Sequence, residues 1–173
     1  MLRRLRANGP VVLVPLAWAF VTAAHLDFVA RRTLLAAHVV MAALLLAFVA
    51  LSWRDMRDGA LRVWRRIIVA GFVFTVTGAV GLVWSSPRLL WTAVVGWMLL
   101  PAAGLWDTGR RSATARASSV PAVRAYFAGG AVSALGAAAY VLGVVVGPTA
   151  TLAGLLLVGI GQTAGIVAAV VAD

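Results

Sequence analysis

Six long apolar stretches dominate the chain, and short segments rich in arginine, serine, glycine or proline separate them. A helix that crosses a bilayer needs about 20 mostly apolar residues, and each stretch comes close to that length. The stretches are Val11–Ala30, Thr33–Trp53, Ile67–Trp84, Leu89–Trp106, Tyr126–Val146 and Thr149–Val171. No segment alternates between apolar and polar residues as a barrel strand must. The pattern predicts an all-α polytopic integral membrane protein, a single domain built as a bundle of six transmembrane helices.

Composition supports this class. Of the 173 residues, 63% are hydrophobic and 12% are charged, and the mean hydropathy is +1.00. Soluble domains carry about 25% charged residues, because their surfaces need polar coverage. These values exclude a soluble globular enzyme. The chain also has no cysteine, which excludes disulfides, thiolate metal sites and thiol catalysis.

The charges indicate an orientation. All fifteen basic residues are arginine, and twelve of them lie before the first stretch or in the connections after the second and fourth. Arg31, Arg32 and Arg88 are the three on the other side. The positive-inside rule then places both termini in the cytoplasm, and six spans agree with that. We expect a multi-pass protein of the cell membrane that binds anionic lipid headgroups at its cytoplasmic face and no nucleic acid.

Three further features of the sequence concern its source, the first span and the longest connection. Arginine without lysine is typical of a GC-rich prokaryotic genome. The first span also resembles a cleaved secretory signal, with Arg3 and Arg4 before an apolar run and Ala23-Ala24 after it. Because the run continues to Ala30, a retained span is favoured. The longest connection, 108–124, is predicted to be a mobile basic loop.

Two histidines are candidate ligands. His25 lies near the outer end of the first span and His38 near the outer start of the second. At 1.5 Å per residue, both are predicted about 7–8 Å below the outer interface. Two imidazoles at equal depth can hold a haem or a transition metal, or serve a quinone. Asp27 is the one carboxylate placed to act as a third ligand. The alternative is that each imidazole bonds to a backbone carbonyl or to a serine or threonine hydroxyl.

Three of the five aspartates have an arginine four residues later, a spacing that allows ion pairs on one helix face. The pairs are Asp27 with Arg31, Asp58 with Arg62, and Asp107 with Arg111. The spacing favours local charge neutralisation over catalysis.

The connection after the second span contains Asp55, then Asp58-Gly59-Ala60 and Arg62. This segment resembles the opening of the CDP-alcohol phosphatidyltransferase motif. The family uses four carboxylates to hold divalent metal and activate the acceptor hydroxyl. Its last two acids follow a glycine at steps of four residues, where this chain has Thr75 and Ala79 after Gly71. The resemblance therefore implies a degenerate relative without a complete metal site.

Small residues predict where helices approach closely. Gly161 and Gly165 form a GxxxG stretch in the sixth span, and Gly129 precedes Ser133 by four residues in the fifth. Such faces predict tight packing of the fifth and sixth spans within one chain. A homo-oligomer formed through these small-residue helix faces is the alternative.

Two prolines lie inside spans. Pro15 and Pro101 lack the amide hydrogen that a helix needs, so each frees a carbonyl four residues earlier.

The sequence contains no carboxylate cluster, nucleophile–base pair or phosphate loop. It therefore favours a non-enzymatic accessory, assembly or scaffold component of the membrane. A haem-, metal- or quinone-binding protein that uses His25 and His38 is one alternative. A small-solute transporter or permeation subunit is another, and it predicts an aqueous midplane cavity. The polar residues that would line that cavity are Thr75, Thr92, Ser133 and Gln162.

Overall fold

The described residues of the computed structural model, 2–115 and 119–171, form six α-helices and no strand. The helices are α1 (Leu2–His25), α2 (Arg31–Ser52), α3 (Gly59–Val83), α4 (Pro87–Ala115), α5 (Val120–Val146) and α6 (Pro148–Val171). Five of them, α2 to α6, are long and apolar enough to cross a membrane. The apolar part of α1, Val11–His25, is shorter. The all-α prediction is confirmed, and the chain has the character of a membrane protein.

The first helix ends before the predicted Ala30 because the chain turns there. The Phe28 amide donates to the Ala23 carbonyl at 3.0 Å, and the Asp27 amide donates to the Ala24 carbonyl at 3.2 Å. Asp27 has a φ of 59°, the left-handed conformation that closes this type of helix end. The apolar residues after it form a connection.

This turn also overturns the predicted Asp27–Arg31 pair, because the two residues do not share a helix. The Arg31 guanidinium instead donates to the Leu82 carbonyl and to Ser85 Oγ, the latter at 2.7 Å. A cation therefore lies at the C-terminal end of α3, where the helix dipole is negative. Asp58 immediately precedes α3 and, among the described residues, does not pair with its predicted arginine either.

The basic connection is largely helical. Of the predicted loop 108–124, α4 continues to Ala115 and α5 begins at Val120, so the loop prediction was wrong for those residues. Residues 116–118 lie outside the described part of the chain. Asp107 and Arg111 form the predicted ion pair on this extension, at 2.5 Å. The Ala122 amide donates to Ser119 Oγ at 3.4 Å, which caps the start of α5.

The helices pack in an order that differs from the chain order at one point. From α2 to α6 each helix packs on the next, and α4 also contacts α6. The first helix, however, packs on α6, while α2 packs on α3. The two consecutive N-terminal helices therefore have different main partners in the bundle.

Backbone contacts hold α5 against α6. A Cβ added to Gly129 would lie 2.6 Å from the Gly161 carbonyl oxygen, and one added to Gly136 would lie 2.7 Å from that of Gly154. These distances are too short for a side chain, so the helices approach as closely as glycine allows. The predicted tight packing of the last two helices within one chain is confirmed.

Rings lie over glycines where α3 packs on α4. A Cβ on Gly71 would lie 2.6 Å from the Trp97 ring, and one on Gly96 would lie 2.5 Å from the Phe74 ring. On each helix, the absence of a side chain at glycine leaves a space that an aromatic ring of the other helix fills. The main buried cluster lies beside this seam and joins four helices through Trp18, Met98, Ala137, Tyr140, Leu155 and Val158.

Candidate functional site

His25 ends α1 and is bonded through both ring nitrogens. Its Nδ1 lies 2.9 Å from the Val21 carbonyl oxygen, so Nδ1–H is the donor. Its Nε2 lies 3.0 Å from the Tyr140 hydroxyl of α5, within hydrogen-bond distance. The rings meet edge to face, with centroids 5.6 Å apart. The imidazole thus ties the end of α1 to the buried face of α5.

His38 is oriented by a similar bond. Its Nδ1–H donates to the Leu34 carbonyl at 2.8 Å, which leaves Nε2 with the lone pair. The Nε2 edge lies against α3, because a Cβ added to Gly78 would be 2.6 Å from Nε2. The imidazole occupies the notch that this glycine leaves at the α2–α3 contact.

The two predicted ligands have separate surroundings. His25 contacts α5, His38 contacts α3, and their own helices pack on α6 and α3. Asp27, the nearest predicted carboxylate, lies in the turn after α1. Within the described ranges, no group of three or more histidines and acids lies close enough to hold a metal ion.

A chain of hydrogen bonds through Gln162 crosses the middle of the bundle. The indole Nε1–H of Trp18 in α1 donates to Gln162 Oε1 of α6 at 2.9 Å. The Gln162 amide nitrogen donates to the carbonyls of Trp97 and Met98 in α4, at 3.1 Å and 3.4 Å. The orientation of the amide follows from its partners, since an indole can only donate and a carbonyl can only accept.

Pro101 explains why Gln162 bonds there. In a helix the Trp97 carbonyl would accept from the amide of residue 101, which is proline and has none. Gln162 is 3% exposed, so its amide replaces the missing donor away from water. The carbonyl that the sequence predicted to be free is therefore satisfied by a neighbouring helix.

The chain of bonds continues into α3 through the same tryptophan. The Trp97 indole Nε1–H donates to Thr75 Oγ1 at 3.1 Å, and the Thr75 hydroxyl donates to the Gly71 carbonyl at 2.9 Å. Side chains from α1, α6, α4 and α3 thus form one connected polar set. We call Trp18, Thr75, Trp97 and Gln162 the central polar chain.

Half of this set could be predicted from the sequence. Thr75 and Gln162 stood out as polar residues inside apolar spans, but Trp18 and Trp97 did not. Their signal is position: a tryptophan in the middle of a span, unlike one at the interface, must find an acceptor inside the protein.

The four side chains predicted to line an aqueous path are each hydrogen-bonded within the chain. Thr75 and Gln162 belong to the central polar chain. Ser133 is fully buried and donates to the Gly129 carbonyl at 2.7 Å. Thr92 lies on the exposed face of α4 and donates to the Arg88 carbonyl at 2.8 Å.

The segment that resembles the phosphatidyltransferase motif covers the connection between α2 and α3 and the first turn of α3. Asp55 is in the turn after α2, and Asp58 precedes α3 without a side-chain capping bond. Thr75, at one of the positions where that family has an acid, is already bonded to Trp97. This hydroxyl serves helix packing.

Comparison with protein-family models, with curated proteins and with solved structures found no match to this chain.

Proposed function

We propose that the chain is a six-span protein of the cell membrane, with both termini in the cytoplasm, that acts as a non-enzymatic accessory, assembly or scaffold component. The central polar chain carries this proposal. Its buried polar groups bond to one another across four helices, an arrangement that serves to fix helix positions. Polar groups in catalytic or transport sites, by contrast, must be available to a ligand.

The orientation rests on arginine placement. Exposed arginines lie at the ends of helices and connections that the proposed topology places in the cytoplasm: Arg54, Arg57, Arg62, Arg66, Arg110, Arg111 and Arg124. Anionic lipid headgroups are their proposed partners. The Arg65 guanidinium lies 4.4 Å from the ring centre of Trp53, which orders one part of this surface.

The absence of cysteine makes this topology directly testable. We expect an added cysteine at Ser86 to react with a membrane-impermeant maleimide in intact cells. Cysteines at Asn8 and Ser112 should react only after the membrane is permeabilised. Labelling at Asn8 in intact cells would place the N-terminus outside and contradict the six-span topology.

A second candidate function uses His38 as a haem or metal ligand. The Nδ1–H bond to the Leu34 carbonyl favours it, because ligating histidines are usually oriented by such a bond while the other nitrogen binds the metal. Under the scaffold proposal, protein purified from haem-supplied cells shows no Soret band and no stoichiometric metal. An absorbance band that disappears in His38→Ala but persists in His25→Ala would overturn that proposal in favour of a redox protein.

A further inference from the structure

Thr163 lacks a hydrogen bond that many other helical hydroxyls in the described part of the chain make. Seven of them donate to the carbonyl four residues earlier: Thr22, Thr75, Thr77, Thr92, Thr108, Thr114 and Ser133. Thr163 Oγ1 has the Gly159 carbonyl at the same spacing, yet among the described residues it is the buried side-chain oxygen or nitrogen that has no partner. A buried hydroxyl without a partner costs about 1–3 kcal/mol.

The register of α6 against α1 gives the surroundings of Thr163. On one side, Trp18 bonds to Gln162, and a Cβ on Gly159 would lie 3.1 Å from the Trp18 Cβ. On the other, Val11 and Val167 line the same apolar groove between the two helices. Gly159 and Val167 each lie one turn of α6 from Thr163, on opposite sides of it, so Thr163 lies opposite the part of α1 between Val11 and Trp18.

Pro15 lies in that part of α1. Because proline has no amide hydrogen, the Val11 carbonyl lacks its usual helical donor. Carbonyls in a helix point toward its C-terminus, which brings the Val11 oxygen toward the level of Pro15 and hence of Thr163. An acceptor without its donor and a hydroxyl without a partner therefore share one level of the α1–α6 seam.

We propose that Thr163 and the Val11 carbonyl bind one water molecule at this seam. The water donates to the Val11 oxygen and accepts the Thr163 hydroxyl proton, so it supplies the donor and the acceptor that the two groups need. Gln162 performs the same task for Pro101 directly, at 3.1 Å. Two adjacent residues of α6 thus satisfy the carbonyls that prolines leave without donors. Gln162 does so for α4 through its side-chain amide, and Thr163 does so for α1 through the water.

Substitution of Thr163 by valine tests the proposal, because valine keeps the shape and removes the hydroxyl. Loss of a bound water lowers the thermal unfolding midpoint in detergent by about 2–4 °C, whereas removal of an unpartnered hydroxyl leaves the midpoint unchanged or raises it. Thr163→Ser retains the hydroxyl and serves as the matched control. It should stay closer to the parent protein than the valine variant.

A background that lacks Pro15 separates the effect of the bound water from the effect of side-chain packing. Pro15→Ala restores an amide donor to the Val11 carbonyl, so Thr163→Val should cost less in that background. A density peak within hydrogen-bond distance of both oxygens, present in the parent and lost in Thr163→Val, identifies the water directly. A neutral or stabilising Thr163→Val, or an equal loss with and without Pro15, would overturn the proposal.

Discussion

Replacement of Gly154 by leucine is expected to push α5 away from α6 and to lower the stability of the fold strongly. A Cβ at this position would lie 2.5 Å from the Tyr140 amide nitrogen and 2.6 Å from the Gly136 carbonyl oxygen. Both atoms belong to the backbone of α5, so a rotamer change cannot make room. One of the two helices has to move.

The cost of this change is large because the displacement spreads along the contact between α5 and α6. Gly129 and Gly161 meet at the same close separation, so a shift at Gly154 loosens contacts two turns away. Overpacking in a rigid core costs about 1–3 kcal/mol, and this site falls at or above the upper value. In a chain of this size, 3 kcal/mol corresponds to a fall of about 6–12 °C in the unfolding midpoint. Tryptophan fluorescence during heating, with the yield of monodisperse protein in detergent, measures it.

Ala153→Leu provides the matched control, since Ala153 is the exposed neighbour of Gly154 on α6. It adds the same leucine to the same turn but places it on the outer face of the bundle. Its unfolding midpoint should stay within about 1–2 °C of the parent protein. If both variants fall equally, general sensitivity of α6 rather than the glycine seam explains the loss.

Much of this seam could be predicted from the sequence. Glycine spacing in the last two apolar stretches indicated close packing, and a short connection at Gly147-Pro148 made the two helices neighbours. The helical class followed equally directly from the apolar lengths. Both inferences depend on local spacing, which a single sequence displays.

Helix partners that are distant along the chain could not be predicted in this way. Placing His25 and His38 together assumed that α1 and α2, being consecutive, pack on each other. In the structure α1 packs mainly on α6, and α2 packs mainly on α3. Nothing in the spacing of α1 shows that its buried side carries Trp18, nor that the acceptor of that indole lies 144 residues later in the sequence.

The positions of helix ends are a second feature that the sequence did not predict. Apolar residues after Ala24 look like a continuing span, because hydropathy does not register a change in backbone direction. The turn depends on Asp27 adopting a positive φ, which aspartate tolerates better than most residues. The presence of an aspartate in a sequence does not by itself predict that conformation.

Gln162→Leu is expected to give the second large loss, by breaking the central polar chain. Leucine has a similar volume, so packing is largely kept while the polar contacts disappear. The Trp18 indole N–H and the Trp97 carbonyl then lose their partners inside the bundle. Each stranded group costs about 1–3 kcal/mol, so we expect the two together to cost about 2–6 kcal/mol. The unfolding midpoint in detergent reports it.

Gln162→Glu separates the contribution of the bond to Trp18 from that of the bond to the Trp97 carbonyl. A glutamate keeps an oxygen for Trp18, but its carboxylate has no donor for the Trp97 carbonyl unless it is protonated. Thr92→Val is the control for removing a polar group from the exposed face of α4, where the hydroxyl bonds only to its own helix. That variant should remain within about 0.5 kcal/mol of the parent.

Pro101→Ala decides whether Gln162 acts by replacing the missing helical donor. With alanine, the amide of residue 101 donates to the Trp97 carbonyl, so loss of Gln162 strands the Trp18 indole alone. The penalty of Gln162→Leu should therefore shrink by the cost of one stranded group, about 1–3 kcal/mol, in the Pro101→Ala background. Equal penalties in the two backgrounds would mean that Gln162 contributes through packing or through Trp18. In that case α4 would tolerate its proline without help from α6, and the polar chain would lose its link between those helices.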